Sequence, residues 1–599
     1  MKDFFKNVLA TIVGIMLLGF VFVFFGLFSI IGMVASSKGT ATAKENSVLV
    51  LPLKGYIMER DEGITSVQDM YYEMNGNNVE NVELGDIVKA IRAAKDNDKI
   101  KGIYIDAGEA AFDSYATAAT IRRELADFKK SGKWVMAYAD DYTQSVYYVA
   151  SVADSIFLSN EGGVDISGLS SQSLYYKGVY DKVGINYYAL RVGKYKSAVE
   201  PLTSSSMSES AREQNMACIT TVWNGMVNDM AASRNTTPEA LNHVADDSLA
   251  ILATTQDYMK THLIDGVCYR DEMVQKVKNR LGIADDKRIN HIAVTDMASL
   301  AHTEDGSSDN KIAVYYASGE IFDAEAKGMF GGGGMVGNKV ARDLQKLAKD
   351  DEVKAVVLRV NSPGGSAVAS DLIAHAVEQL RAKKPVVVSM GGVAASGGYM
   401  MSAPANYIMA EPYTITGSIG IFAIIQNSRG LWTDKVGLTY DGVKTNRNGD
   451  AYLRLSLGKD NADLLAYFQT YVNRGYDDFL SAVSKGRKLS REAVHEVAQG
   501  RVWMASDALK CKLVDELGTL DDAIKKAATL AKVTDYSVTR TPQKSDLLDR
   551  LMKQFEPSSP FEEQLQLMLG AFYEPVMEMQ LDARRNRLQA RLPYRTTFK

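Results

Sequence analysis

The chain has 599 residues, more than one ordinary domain holds; at about 150 residues per domain, roughly four are expected. With 46% apolar and 24% charged residues it is globular in the main rather than disordered or fibrous. A formal charge of −5 and a pI near 5.9 leave no basic footprint for nucleic acid. Three widely spaced cysteines (Cys218, Cys268 and Cys511) suggest neither a disulfide framework nor a zinc site. Six scattered histidines without an HExxH pattern speak against a catalytic metal, and no cofactor is expected.

In chain order, the first feature is an uncharged run of 27 residues, Val8 to Val34, "VLATIVGIMLLGFVFVFFGLFSIIGMV". At 1.5 Å per residue it spans about 40 Å, enough to cross a hydrocarbon core of about 30 Å with tilt. Residues 1–45 are therefore read as a membrane anchor and linker, with everything after Ser36 on one side of the bilayer. Ala35-Ser36-Ser37 also resembles a cleavage site, which leaves a removed signal as the alternative. Lysines flank both ends (Lys2 and Lys6, Lys38 and Lys44), so the basic-residue bias sets orientation only weakly.

The remainder repeats itself. "DKIKGIYID" at 98–106 resembles "DEVKAVVLR" at 351–359, and "DKVGI" at 181–185 matches "DKVGL" at 434–438, both at an offset of 253. "YYVASVADSIFL" at 147–158 follows "YMMSAPANYIMA" at 399–410 with an offset of 252. The chain is thus a tandem duplication, with a first repeat at 46–303, a linker at 304–310 and a second repeat at 311–535. A tail, 536–599, falls outside it.

Each copy reads as α/β. Ile312–Tyr316, Ala355–Val360 and Pro385–Ser389 are short β-branched runs bounded by turn residues, as buried strands are. The stretch 367–382 is a helix in which Val368, Leu372, Ile373, Val377 and Leu380 share the apolar face. Alternation at this spacing predicts βαβ crossovers and parallel strands. The end of each copy (208–282 and 460–533) is mainly helical, with Thr237 and Ser490 as capping hydroxyls. The basic tail, with Arg584, Arg585, Arg587, Arg591 and Arg595, is either a solvated helix or a contact for anionic lipid or a neighbouring subunit.

Chemistry is suggested where the copies diverge. Aligning Tyr147 with Tyr399 sets Gln144 opposite Ser396, so only the second copy has the serine and its small neighbours, "GGVAASGGY" at 391–399. Ser396 in such a cradle suits a nucleophile at a strand-to-helix turn. Gly397 offers a backbone N–H beside it, and "NSPGG" at 361–365 offers a second, from Gly364 or Gly365, beyond a strand end. Two such donors would form an oxyanion hole; tight turns alone would also account for these glycines. His375 sits on the following helix and is read as satisfied or solvent-facing. "RVGKYKSAVEPLT" at 191–203 occurs only in the first copy, and its Lys196 is either a surface lysine or a general base. The second role needs burial to lower its pKa from about 10.4 toward 7–8.

Together, "RVGKYKSAVEP", "NSPGGS", "ASGGYMMSAPANYI" and "TGSIGIF" resemble the signal peptide peptidase A family in its long, duplicated bacterial type, a serine protease group of the Clp/crotonase-like fold. The resemblance covers the anchor and both copies and weakens over the tail. It implies a Ser/Lys dyad with Ser396 as nucleophile and Lys196 as base. It also implies that Ser418 orients the lysine, and that Gly397 with Gly364 or Gly365 binds the oxyanion. The implied substrates are apolar, extended remnant signal peptides. The implied assembly is a homotetrameric bowl on the extracytoplasmic, periplasmic side of the bacterial cytoplasmic membrane. Two rival functions remain at this stage, a crotonase-like acyl-CoA enzyme and a non-catalytic membrane scaffold.

Overall fold

The computed structural model describes residues 42–60, 81–247, 250–301, 308–324, 334–459, 461–542 and 589–591. The run Val8–Val34, most of the 304–310 linker and most of the tail lie outside them. Among the described residues no helix is long and apolar enough to cross a membrane.

Each copy builds one sheet from hydrophobic runs that are buried on both faces, parallel throughout in the first copy and parallel except for the edge strand Val502–Met504 in the second. In the first copy the strand order is Asn81–Glu83, Ser47–Met58, Ile100–Phe112, Trp134–Ala139, Ser155–Leu158 and Gly266–Val267, with Asn290–Ala293 also on Ser47–Met58. Every pair in it is parallel. In the second copy Lys311–Ser318, Val353–Ser362 and Val386–Ala395 form the centre, again in parallel. Ser537–Thr541, from the segment counted with the tail, adds a further parallel strand beside Lys311–Ser318. The alternation seen in the sequence thus corresponds to two parallel α/β units.

The helical ends of the copies correspond closely. Glu209–Arg234 and Ala462–Arg487 are both 26 residues long. Thr237 and Ser490 each accept from the backbone N–H three residues on, at 3.2 and 3.1 Å, which caps the following helices. The helix Ala367–Arg381 forms as expected, but its buried stripe runs through Ala369, Ile373, Ala376 and Leu380. Val368 and Leu372 are 40% and 39% exposed. They lie one position off that stripe, and the alanines, not the leucine, let the helix close on its neighbour. His375 faces solvent.

The copies are joined through shared interior. Ala395, Ile415, Val502 and Met504 of the second copy pack into the hydrophobic core of the first, while Leu190 packs into the core of the second. A third, mixed sheet crosses the joint: Asn186–Arg191 of the first copy runs antiparallel to Phe422–Asn427 of the second. In the same sheet Gln589–Arg591 pairs antiparallel with Gly364–Ser366 and meets Phe422.

Candidate active site

The strand Val386–Ala395 delivers Ser396. It pairs with Val353–Ser362 in regular register up to Val360 and Met390, then slips, so that Ser362 faces Ala394. Gly391-Gly392-Val393 therefore stand opposite Asn361 alone. Asn361 fills the bulge: its Oδ1 accepts from Val393 N at 3.1 Å, and its Nδ2 donates to Asp113 Oδ2 of the first copy at 3.3 Å. Bulges re-aim a strand in this way near functional sites.

Ser396 then turns the chain sharply, at φ 57° and ψ −113°, into the helix Gly397–Ser402. A non-glycine residue in such a conformation costs of order 1–3 kcal/mol and persists only where its surroundings hold it. Its N–H donates to Gly417 O at 2.8 Å. The helix start is pressed onto the "NSPGG" segment, and a Cβ on Gly398 would lie 2.7 Å from Ser362 O. This contact is why bulk is excluded there. As the first residues of a helix, Gly397 and Gly398 have N–H groups without intrahelical acceptors. Gly364, at φ 99°, turns its own N–H onto Ser362 Oγ at 3.2 Å. Gly365 lies beside it, paired in register with Ile321 and Ala590.

Lys196 arrives from the other copy on an irregular loop fastened at several points. Arg191 donates to Lys196 O at 2.9 Å and lies 3.3 Å from the buried Glu200 carboxylate. Tyr195 N donates to Gln499 O at 3.0 Å, so the loop rides on the 498–501 turn of the second copy. Gly500, at φ 79°, meets the lysine backbone directly; a Cβ there would lie 2.7 Å from Lys196 Cβ. Gln499 and Gly500 are site-forming residues that sequence reasoning missed. The available signal was the Gln-Gly step just before an edge strand, Val502–Met504, which local pattern alone does not connect to a lysine three hundred residues upstream.

The three predicted polar side chains meet in the interior. Lys196, Ser396 and Ser418 are each 0% exposed. Lys196 Nζ lies 2.8 Å from Ser396 Oγ, 3.0 Å from Ser418 Oγ and 3.1 Å from Ser418 O. Ser396 and Ser418 follow the ends of adjacent strands, Val386–Ala395 and Ile415–Gly417, paired from Val393 with Ile415 to Ala395 with Gly417. Ser418 also has positive φ, 51°, and its N–H donates to Arg501 O at 2.7 Å. The Phe422 ring lies on the other side, its centroid 5.9 Å from Nζ.

This geometry accommodates both protonation states of an amine. An ammonium has three donors for the three oxygens. A neutral amine has two donors and a lone pair. Ser418 O can only accept, so the lone pair is free to face the Ser396 hydroxyl while the N–H groups go to Ser418.

A buried ionic cluster braces the floor of the site. Arg359, on the strand that ends at Ser362, makes a bidentate pair with Glu59 of the first copy, at 2.9 and 2.8 Å. Its third nitrogen donates to Ser389 Oγ at 2.8 Å and lies 3.7 Å from Glu411, which also pairs with Arg123 of the first copy at 3.3 Å. Burial works against the guanidinium charge, but Glu59 and Glu411 hold its pKa above the ordinary value. Burial pushes the Glu411 carboxyl up despite both arginines. Burial also raises the neighbouring Asp113 to about 6, against hydrogen bonds from Thr117 and from Glu59 N.

Comparison with known proteins bears on the duplicated chain that carries these residues. The pattern of Peptidase family S49 matches twice, at residues 127–284 and 378–534, and that of Clp protease matches 334–412. "Protease 4" of Haemophilus influenzae is 37% identical over 88% of this chain and 86% of its own. "Serine protease SPPA, chloroplastic" of Arabidopsis thaliana is 28% identical over 74% of this chain and 65% of its own. "Putative signal peptide peptidase SppA" of Enterococcus faecium is 34% identical over 39% of this chain and 68% of its own. A duplicated α/β chain with these matches, one of them along most of its length, belongs to Peptidase family S49 and is a serine-type peptidase.

Proposed function

We propose that the chain is a membrane-anchored endopeptidase that cleaves apolar, extended peptides such as remnant signal peptides through a Ser396/Lys196 dyad. The observation that carries this reading is the 2.8 Å approach of Lys196 Nζ to Ser396 Oγ in a fully buried setting. Removal from water favours the uncharged form of an amine, which is the form a base needs.

Lys196 takes the Ser396 proton as Oγ bonds to the scissile carbonyl carbon. The carbonyl oxygen becomes an oxyanion facing the Gly397 N–H and a second donor from Gly365, or from Gly364 once its N–H leaves Ser362 Oγ. One such donor is worth about 2.7–4 kcal/mol in the transition state. The C–N bond then breaks, Lys196 returns the proton to the leaving amine, and water attacks the acyl-enzyme with Lys196 again as base. Ser418 keeps two acceptors on Nζ throughout, so the lone pair stays aimed at the serine.

An extended substrate is supported by the gap between Gly364–Ser366 and Phe422–Asn427, where the chain's own Gln589–Arg591 runs as an antiparallel strand. A peptide displacing that strand would pair its backbone with Gly364–Ser366 beside the proposed nucleophile. The uncharged run Val8–Val34 supports an anchor. The family resemblance supports a homotetrameric bowl on the extracytoplasmic side of the bacterial cytoplasmic membrane. Family membership sets aside the acyl-CoA and scaffold readings.

The test is labelling with a serine-reactive fluorophosphonate alongside turnover of an apolar reporter peptide. Ser396→Ala is expected to abolish both with assembly intact. Lys196→Ala should lower both by about 10²–10⁴-fold, the usual weight of a general base. Parent-rate labelling of Lys196→Ala would place the base elsewhere.

A further inference from the structure

Lys196 stands on an irregular loop, yet its Nζ has to meet a hydroxyl delivered by the other copy. One side chain outside the reaction is built to keep that meeting in register. Gln214, fully buried on the helix Glu209–Arg234, donates from Nε2 to Tyr195 O at 3.0 Å and to Ser197 Oγ at 3.1 Å. These are the residues on either side of Lys196. Its Oε1 accepts from Val502 N at 3.1 Å. Val502 begins the strand that pairs antiparallel with Ile415–Gly417, which leads into Ser418.

A single carboxamide thus ties the lysine loop of the first copy to the strand layer that presents the lysine's partners. Only an amide offers two donors on one side and an acceptor on the other. A carboxylate would lose the donors and a hydrocarbon all three bonds, leaving buried polar groups unpaired.

The duplication supplies an independent comparison. The helices Glu209–Arg234 and Ala462–Arg487 have the same length, and matching their first residues sets Gln214 opposite Tyr467. Tyr467 is 61% exposed. The repeated fold therefore does not itself demand a buried amide at this position. The demand arises only in the copy that carries Lys196.

We propose that Gln214 is a positioning residue for the Ser396/Lys196 reaction: it touches neither substrate nor the reacting hydroxyl and acts by holding the lysine loop. The proposal rests on the dyad reading above. Its test uses the full chain, with Gln214→Leu and Gln214→Glu as variants and Ser396→Ala and Tyr467→Ala as controls. Fluorophosphonate labelling is followed for both rate and endpoint, with kcat and KM on the reporter peptide.

Gln214→Leu should slow labelling and lower kcat by about 10²-fold, the effect of displacing a reacting group by about 1 Å. KM should stay within about two-fold of the parent, because ground-state binding is untouched. The labelling endpoint should remain complete, since a residue that merely supports the fold would lower the fraction labelled and leave the rate per site alone. Gln214→Glu keeps the bond to Val502 N and loses the donors; it should shift in the same direction and stands in if the leucine variant does not fold. Tyr467→Ala should label at the parent rate. Persistent labelling of Ser396→Ala would overturn the dyad and this proposal together. A silent Ser396→Ala beside either Gln214 variant labelling at the parent rate per site, whatever its endpoint, would overturn the Gln214 assignment alone.

Discussion

At the carboxyl ends of their sheets the two copies have taken opposite courses. In the second, the central strand Val353–Ser362 breaks at Pro363 and resumes as Gly364–Ser366, and the neighbouring strand ends on Ser396 in a strained conformation. In the first, the corresponding strand Ile100–Phe112 runs on without a break. The position opposite Ser396 is Gln144, preceded by Thr143 in relaxed extended geometry, φ −68° and ψ 154°. Gln144 spends its polar atoms on the next loop, accepting from Ser167 N and Gly168 N at 3.0 and 2.9 Å and donating to Gly168 O at 3.0 Å. The same unit is kept strained where the serine stands, and relaxed and filled by a glutamine where it does not. The first copy has instead given its loop, with Lys196, to its partner.

This division ties the halves together, and Arg359 is the place to break them. Arg359→Met leaves Glu59 and Glu411 buried without their main counter-charge. Removing one partner of a buried pair typically costs about 3–5 kcal/mol. Urea unfolding should show a loss of this size, in a single transition that carries both copies because their cores interpenetrate. Two separate transitions, with the first copy melting as in the parent, would show that the copies are independent units.

A smaller effect sharpens the comparison from the other side. Gln144→Ser gives the first copy a hydroxyl at the equivalent position but neither the strained turn nor a lysine. In a Ser396→Ala background it should acquire no fluorophosphonate label. It should also lose about 1 kcal/mol, because the N–H groups of Ser167 and Gly168, on a loop partly open to water, lose their bonds to Gln144 Oε1. Label appearing on residue 144 would mean that the first copy retains a working site.

The sequence carried the duplication and the α/β class, because each has a local signature, an offset of 253 and alternating runs; Ser396 and Lys196 stood out as motifs present in one copy only, and their pairing rested on the family resemblance. What it did not carry are contacts whose partners are chosen by the fold. Arg359 and Glu59 are 300 residues apart and meet because one strand of each copy ends at the shared joint. Gly500 and Gln214 look like any turn glycine and any helix glutamine until the lysine loop is laid between them. The error at Val368 and Leu372 has a related cause. A helix packed through alanines hides its true stripe from a search for large side chains.

The mildest test concerns Asp113, which braces Asn361 and so the bulge before Ser396. Its carboxyl is raised to about 6 in the folded protein, above the value of about 3.9 of an exposed aspartate. Between pH 4 and 6 the native state therefore holds a proton that the unfolded chain has released. Stability through this group consequently falls as pH rises across that window and is flat above it, where both states are ionised. Asp113→Asn keeps an oxygen for Glu59 N and Asn361 Nδ2, and its amide can face the hydroxyls of Thr117 and Ser114. Because every other carboxylate titrates nearly alike in parent and variant, the informative quantity is the difference in unfolding free energy between them, followed from about pH 4 to about pH 7.5. That difference should move in favour of the asparagine variant as pH rises and level off roughly one unit above pH 6. A difference that stays constant would mean that Asp113 is ionised in the native joint throughout, and that the first copy braces the serine strand with a charge instead of a neutral acid.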